Sequence, residues 1–124
     1  AAAGIGWLEY MAWVKWRSQK HLKAADWSMQ FLDRRKDNPH YEILMPYGAY
    51  LAARMNGELG RKYDVQKLVT WCFDESKARP GWGTIAQTWG GYDCHWLVGS
   101  ITDGGGYAFE HICQCGRAGA SRPV

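Results

Sequence analysis

No apolar run in these 124 residues approaches the ~20 that a helix needs to cross a bilayer, so a transmembrane span is excluded. Charge of one sign is also scarce. Fifteen Lys+Arg against twelve Asp+Glu leave a net +3, too small to argue for a nucleic-acid binder. Cysteine is limited to positions 72, 94, 113 and 115, too few and too clustered to staple a miniprotein. Three pairings of the four are conceivable, as are four free thiols. The cysteines do not spell a zinc site either. Cys94-His95 and His111-Ile112-Cys113-Gln114-Cys115 hold soft ligands, but the cysteine repeat of two differs from the usual C-x₂₋₄-C spacing. No glycine-rich phosphate loop with a following lysine occurs, and Gly81-Trp82-Gly83 lacks the third glycine of a dinucleotide fingerprint. Ala1 to Gly4 run straight into Trp7 and Leu8 with no basic region before a long apolar stretch, so no signal peptide is expected.

What the chain has is apolar and aromatic content. It is 47% hydrophobic and 22% charged, which rules out a disordered tail, and it holds eight Trp and seven Tyr. Helical spacing fills the first two-thirds. A segment from about Ile5 to Arg17 is apolar around most of its circumference. Leu22, Ala25, Met29 and Leu32 then define one face of a second helix, expected to stop near Asp37-Asn38-Pro39 because proline disfavours helical geometry in the residue before it. A third pattern covers Tyr41 to Leu59 and contains Pro46, which predicts a kink or a fresh start with Pro46 in the first turn. Gly60 is placed to cap it. Asp64 offers an N-cap oxygen to a fourth helix with Val65, Leu68, Val69, Cys72 and Phe73 on one face. Short links imply antiparallel αα-hairpins, and the expected fold class is all-α.

The character changes at Glu75. Eight glycines fall between Gly81 and Gly106, interleaved with Trp82, Trp89, Trp96, Tyr92 and Tyr107. Each glycine costs a helix ~1 kcal/mol, so the stretch cannot be one regular helix and reads as an irregular segment across one end of the hairpins. Functional sites are often built from such loops, although tryptophans plugging a core would give the same composition.

Two stretches resemble bacterial (α/α)-toroid proteins, the helical-hairpin barrels found among glycoside hydrolases and polysaccharide lyases. One is Pro46-Tyr47-Gly48-Ala49-Tyr50-Leu51-Ala52-Ala53-Arg54-Met55-Asn56 with Glu58-Leu59-Gly60, Tyr63-Asp64 and Trp71-Cys72-Phe73. The other is Pro80-Gly81-Trp82-Gly83 with Trp89-Gly90-Gly91-Tyr92-Asp93, Gly99-Ser100 and the run from Gly104 to Phe109. The resemblance implies carbohydrate processing, with a bacterial periplasmic or secreted location following only from that substrate class. Toroids close when several hairpins stack, and this chain supplies about two, so residues 1–109 read as an incomplete toroid with apolar helix faces left for association. Residues 110–124 lack an apolar period. They read as an atypical tail, either a flexible terminus or a shifted reading frame.

Within that expectation, Asp93 is the first working carboxylate. Trp89, Tyr92 and Trp96 would wall it and raise its pKa, as a general acid requires; a helix cap near Cys94 is the alternative role. Trp82, Trp89 and Trp96 would form a platform for sugar rings. A glycosidase needs a second carboxylate, for which Glu42 and Asp103 are the candidates, against first-turn and turn roles respectively. A lyase needs a base and a group that neutralises a carboxylate. His95, Tyr92, Tyr47, Tyr50, Arg54 and Asn56 have suitable types, and Tyr47, Tyr50 and Arg54 share a helix face by spacing, as an ordinary amphipathic stripe also would. Carbohydrate is the expected partner, nucleic acid and membrane are not, and no cofactor or metal is expected. A non-catalytic glycan- or protein-binding module and a purely structural fragment are the alternatives.

Overall fold

Alanines at positions 2 and 3 favour helix, and α1 spans Ala2–Trp16. It stops at Arg17, whose φ of 56° is left-handed and whose N–H donates to the Trp13 carbonyl at 2.7 Å. Two residues later α2 begins (Gln19–Asp33), so the chain reverses in a tight αα-hairpin. Glu9 meets His21 at 2.7 Å, while Gly6 lies against Ser28 and Met29 nearer the other end, which makes the pair antiparallel. The computed structural model describes residues 1–40, 44–85, 88–89, 91–100 and 108–110, with the backbone alone at Trp89 and 108–110.

Helix α3 (Leu44–Leu59) carries Pro46 in its first turn, where the missing N–H costs nothing. Ala3 faces Gly48, Gly6 faces Leu51, and the Tyr10 hydroxyl donates to Glu58, so α3 runs parallel to α1. Their approach depends on Gly48, where a Cβ would sit 2.8 Å from Leu32 Cδ2 and 3.0 Å from Ala3 Cβ. Gly60 ends α3 at φ 64°, its N–H donating to the Asn56 carbonyl at 3.1 Å. Asp64 then caps α4 (Val65–Trp71) by accepting from the Lys67 N–H at 2.9 Å. Tyr10, Ala25, Met29, Leu32, Leu51, Met55 and Leu68 form the buried centre of the helical body.

Beyond α4 the expectation of an irregular segment is corrected. Strands β1 (Trp82–Thr84), β4 (Leu97–Ser100) and β5 (Ala108–Glu110) form an antiparallel sheet in the order β1-β4-β5, and β2 (Thr88–Trp89) pairs with β3 (Tyr92–Asp93) as a small hairpin. The protein is therefore mostly helical with a small β-region. Gly83 opposes Gly99 in the β1–β4 register, and both are buried.

The sheet is tied to the helices at several points. Asn38 is buried and donates to the Trp71 and Asp74 carbonyls at 2.9 and 3.0 Å, which fastens the chain after α2 to the end of α4. The Ser76 N–H donates to the Trp82 carbonyl at 2.7 Å, and the Thr84 hydroxyl donates to the Cys72 carbonyl. Trp82, Ile85 and Val98 are buried in the sheet.

Candidate functional site

The turn from β3 to β4 is the part of the Gly/Trp segment with defined geometry. Asp93 Oδ1 accepts from the His95 N–H at 3.0 Å and lies 2.6 Å from His95 Nδ1. The Leu97 N–H donates to the Cys94 carbonyl at 3.3 Å, closing a β-turn with His95 and Trp96 at its centre. Trp96 occupies that second central position with φ 73°. A left-handed backbone there suits glycine, and a bulky side chain carries a cost of ~1–3 kcal/mol. It is held by the β-bonds on either side, with the Trp96 N–H donating to the Ile85 carbonyl and the Ile85 N–H to the Leu97 carbonyl, both at 2.8 Å.

Strain of that kind needs a side chain that gains from the position. The Trp96 indole is 46% exposed and meets Phe73 edge to face, centroids 6.1 Å apart and planes at 83°. The His95 ring lies 6.5 Å from it, and Tyr92, 76% exposed, is the next aromatic along the strand. The apolar spacing places Phe73 on one face of the fourth helix with Val65, Leu68, Val69 and Cys72. The helix ends at Trp71, so Phe73 turns outward and becomes half-exposed. Nothing in the apolar spacing marks it as part of a surface cluster.

The direction expected for the Asp93 pKa is reversed. The His95 backbone N–H and then its side chain hold the Asp93 carboxyl below the usual carboxylate range. The side chain is 81% exposed, and those bonds outweigh the upward push of burial. It is a carboxylate at neutral pH, a hydrogen-bond acceptor and the anchor of an imidazole. Cys94 beside it is a half-buried free thiol, and Cys72 a buried one.

The platform of three tryptophans is divided. Trp82 is 3% exposed and has the Arg79 guanidinium 3.9 Å above its ring, so it belongs to the interior. Thr84, two residues on and therefore on the same side of β1, bonds to the Cys72 carbonyl just past the end of α4, so this side faces the helical body. The Trp89 backbone lies in β2 opposite Tyr92, and its side chain is outside the described residues, as are Glu42, Asp103 and the tail from His111.

Tyr47, Tyr50 and Arg54 share one face of α3, as their spacing predicts. Trp7 packs on both tyrosines, at 5.7 and 5.5 Å between centroids. Arg54 lies 5.0 Å over Tyr10 and 5.9 Å over Tyr50, and its Nε donates to Glu58 at 2.7 Å. Its charge is engaged by Glu58. The bond to Arg54, then that from Tyr10, holds the Glu58 carboxyl down, while burial first and the Glu58 bond next push the Tyr10 hydroxyl up to about 12. Asn56 binds the Tyr63 backbone through both ends of its amide at 2.9 Å. This stripe braces α1 against α3 and the turn after it.

Among the described residues, no three His, Cys, Asp or Glu side chains are grouped to hold a metal ion. Comparison with protein-family models, curated proteins and solved structures finds no match to the chain.

Proposed function

We propose that this chain binds carbohydrate at the β3–β4 turn, on a helical-hairpin scaffold of the α/α-toroid kind to which α1–α2 and α3–α4 contribute two hairpins. The observation that carries the proposal is the half-exposed Trp96 indole, kept in a glycine conformation beside an ionised Asp93 and an exposed Tyr92. An indole face accepts the apolar face of a pyranose. A neighbouring carboxylate accepts its hydroxyl protons, and an aromatic with few rotatable bonds loses little entropy on binding. Hydrogen bonds to an ionised acceptor are the stronger kind, which suits a sugar that must leave water.

A titration with neutral and uronate oligosaccharides, followed by tryptophan emission and by calorimetry, tests this. Trp96→Ala is expected to remove the response, and Asp93→Asn to weaken it about tenfold, the loss of one charged hydrogen bond. An unchanged affinity in Trp96→Ala, or no response to any oligosaccharide, overturns the proposal.

The 2.6 Å Asp93–His95 pair favours one further reading, a lyase. A carboxylate that orients an imidazole makes it a base for the proton beside a uronate carboxyl. Ultraviolet absorbance from the unsaturated product, lost in His95→Gln while binding persists, would establish it. Binding with no such product in the unaltered chain would leave a glycan-binding module.

A further inference from the structure

Helix α2 presents a second unusual surface on the side away from the core. Ala25, Met29 and Leu32 point inward, and the outer stripe consists of Lys20, Lys23, Trp27, Phe31 and Arg34, spaced three or four apart. Trp27 is 62% exposed and Phe31 60%, large apolar side chains one turn apart at a position where the helix needs neither. Lys23 Nζ lies 4.9 Å over the Trp27 ring. Trp27, Gln30, Phe31, Arg34 and Arg35 line an open depression of about 400 Å³.

The charge of this stripe is not balanced by its own helix. Asp26 is bound to Arg61 at 2.7 Å, and Asp33 accepts from the Asp64 N–H at 2.8 Å and faces Lys67 at 3.8 Å. Among the described residues, no ion pair engages Lys20, Lys23 or Arg34. The stripe is thus an aromatic ridge in a cationic border, with the helix's own carboxylates committed elsewhere.

We infer that this face of α2 docks on a lipid bilayer carrying anionic headgroups. Charge complementarity selects an anionic partner. The composition selects a bilayer: two largely exposed rings one turn apart, bordered by lysine and arginine, match an interface where aromatic rings sit at headgroup depth beside anionic phosphates. Lysine and arginine stems lie along the apolar ridge with their charged ends at the phosphates. No described helix is long and apolar enough to cross a membrane, and the contact inferred is one in which α2 lies along the surface. It adds a partner that the absence of a spanning run gave no reason to expect, and it shares no residue with the Trp96 surface.

Co-sedimentation of the full chain with vesicles tests the inference. Phosphatidylcholine vesicles are compared with ones containing about 30 mol% phosphatidylserine, at about 0.05 and about 0.5 M salt. Binding is expected only to the anionic vesicles and is released by the higher salt. Each basic residue near the surface contributes about fivefold, so Lys20→Gln with Lys23→Gln should lower partitioning about 25-fold. Trp27→Ala with Phe31→Ala should lower it at least as far, roughly what two interfacial rings contribute. Circular dichroism checks that the variants are folded, and Trp27→Ser alone gives the same readout if the double variant is not. Equal binding to neutral vesicles, no binding to anionic ones, or full binding by the aromatic variant overturns the inference. So does self-association abolished by Phe31→Ala, or binding to a single-stranded oligonucleotide with the same dependence on the aromatic pair.

Discussion

Replacing Asp26 by Asn tests whether the corner between α2 and the α3–α4 turn is held by one carboxylate. Asp26 accepts from Arg61 Nε at 2.9 Å and Nη2 at 2.7 Å, and from the Tyr63 hydroxyl at 2.7 Å. Its side chain is 15% exposed, whereas that of Arg61 is 37% exposed. The amide keeps a neutral bond from Tyr63 and loses its charge-assisted excess, about 1 kcal/mol. The two-pronged Arg61 pair is partly screened by water and contributes about 0.5–1 kcal/mol more. The sum is about 2 kcal/mol, equivalent to about 6–10 °C in the unfolding temperature of a domain this size. Burial pushes the Asp26 pKa up, but the bonds from Arg61 and Tyr63 outweigh it and set the folded value below the ordinary 3.8. The unfolded chain therefore takes up the proton first as pH falls. The stabilisation is complete above the unfolded pKa and is lost as pH drops through the folded one. Melting curves by circular dichroism should show the full gap between the two proteins at pH near 7 and a closing gap below about pH 4. No gap at neutral pH, or one that persists unchanged in acid, would refute the reasoning.

Other substitutions separate local effects from packing. Gly57→Ala in α3 meets nothing within 4 Å and should stabilise by about 0.5–1 kcal/mol in denaturant titration. Gly60→Ala has equal space but a φ of 64°, so the same assay should show a loss of about 1 kcal/mol. Asp64→Ala removes the bond to the Lys67 N–H and should cost about 1 kcal/mol. Burial pushes the Cys72 thiol up to about 12, so alkylation of the native protein near pH 8, located by mass spectrometry, should label Cys94 and spare Cys72 until denaturant is added.

The helices were legible because their signals are local. Pro46 points to a kink or a fresh start and lies in the first turn of α3, Gly60 takes the left-handed cap, and Asp64 reaches the N–H three residues on. The end of α2 was placed too late, near Pro39. Proline restricts only its immediate predecessor, whereas the helix stops at Asp33 and Asn38 is committed to the Trp71 and Asp74 carbonyls. Those acceptors lie more than thirty residues away and leave no mark on the local pattern.

The β-region was illegible for a related reason. Its strands are two to four residues long, too short for an alternation to stand out, and Gly83 and Gly99 remove side chains from the positions that would have shown it. Trp82 and Trp96 are the same residue type within one glycine-rich segment, yet one is interior and the other is at the surface. Register decides between them. Trp82 lies opposite Ser100 on the side of β1 that Thr84 fastens to the chain just past α4, while Trp96 precedes β4 in a turn and is outside that alternation. A tryptophan there gives up the glycine-like ease of its backbone angle and leaves almost half its indole in water. Its edge-to-face contact with Phe73 is the packing the side chain gains in return. On the proposed glycan-binding reading, the exposed part of that indole is what a ligand would cover, and the adjacent carboxylate would favour a ligand bearing hydrogen-bond donors.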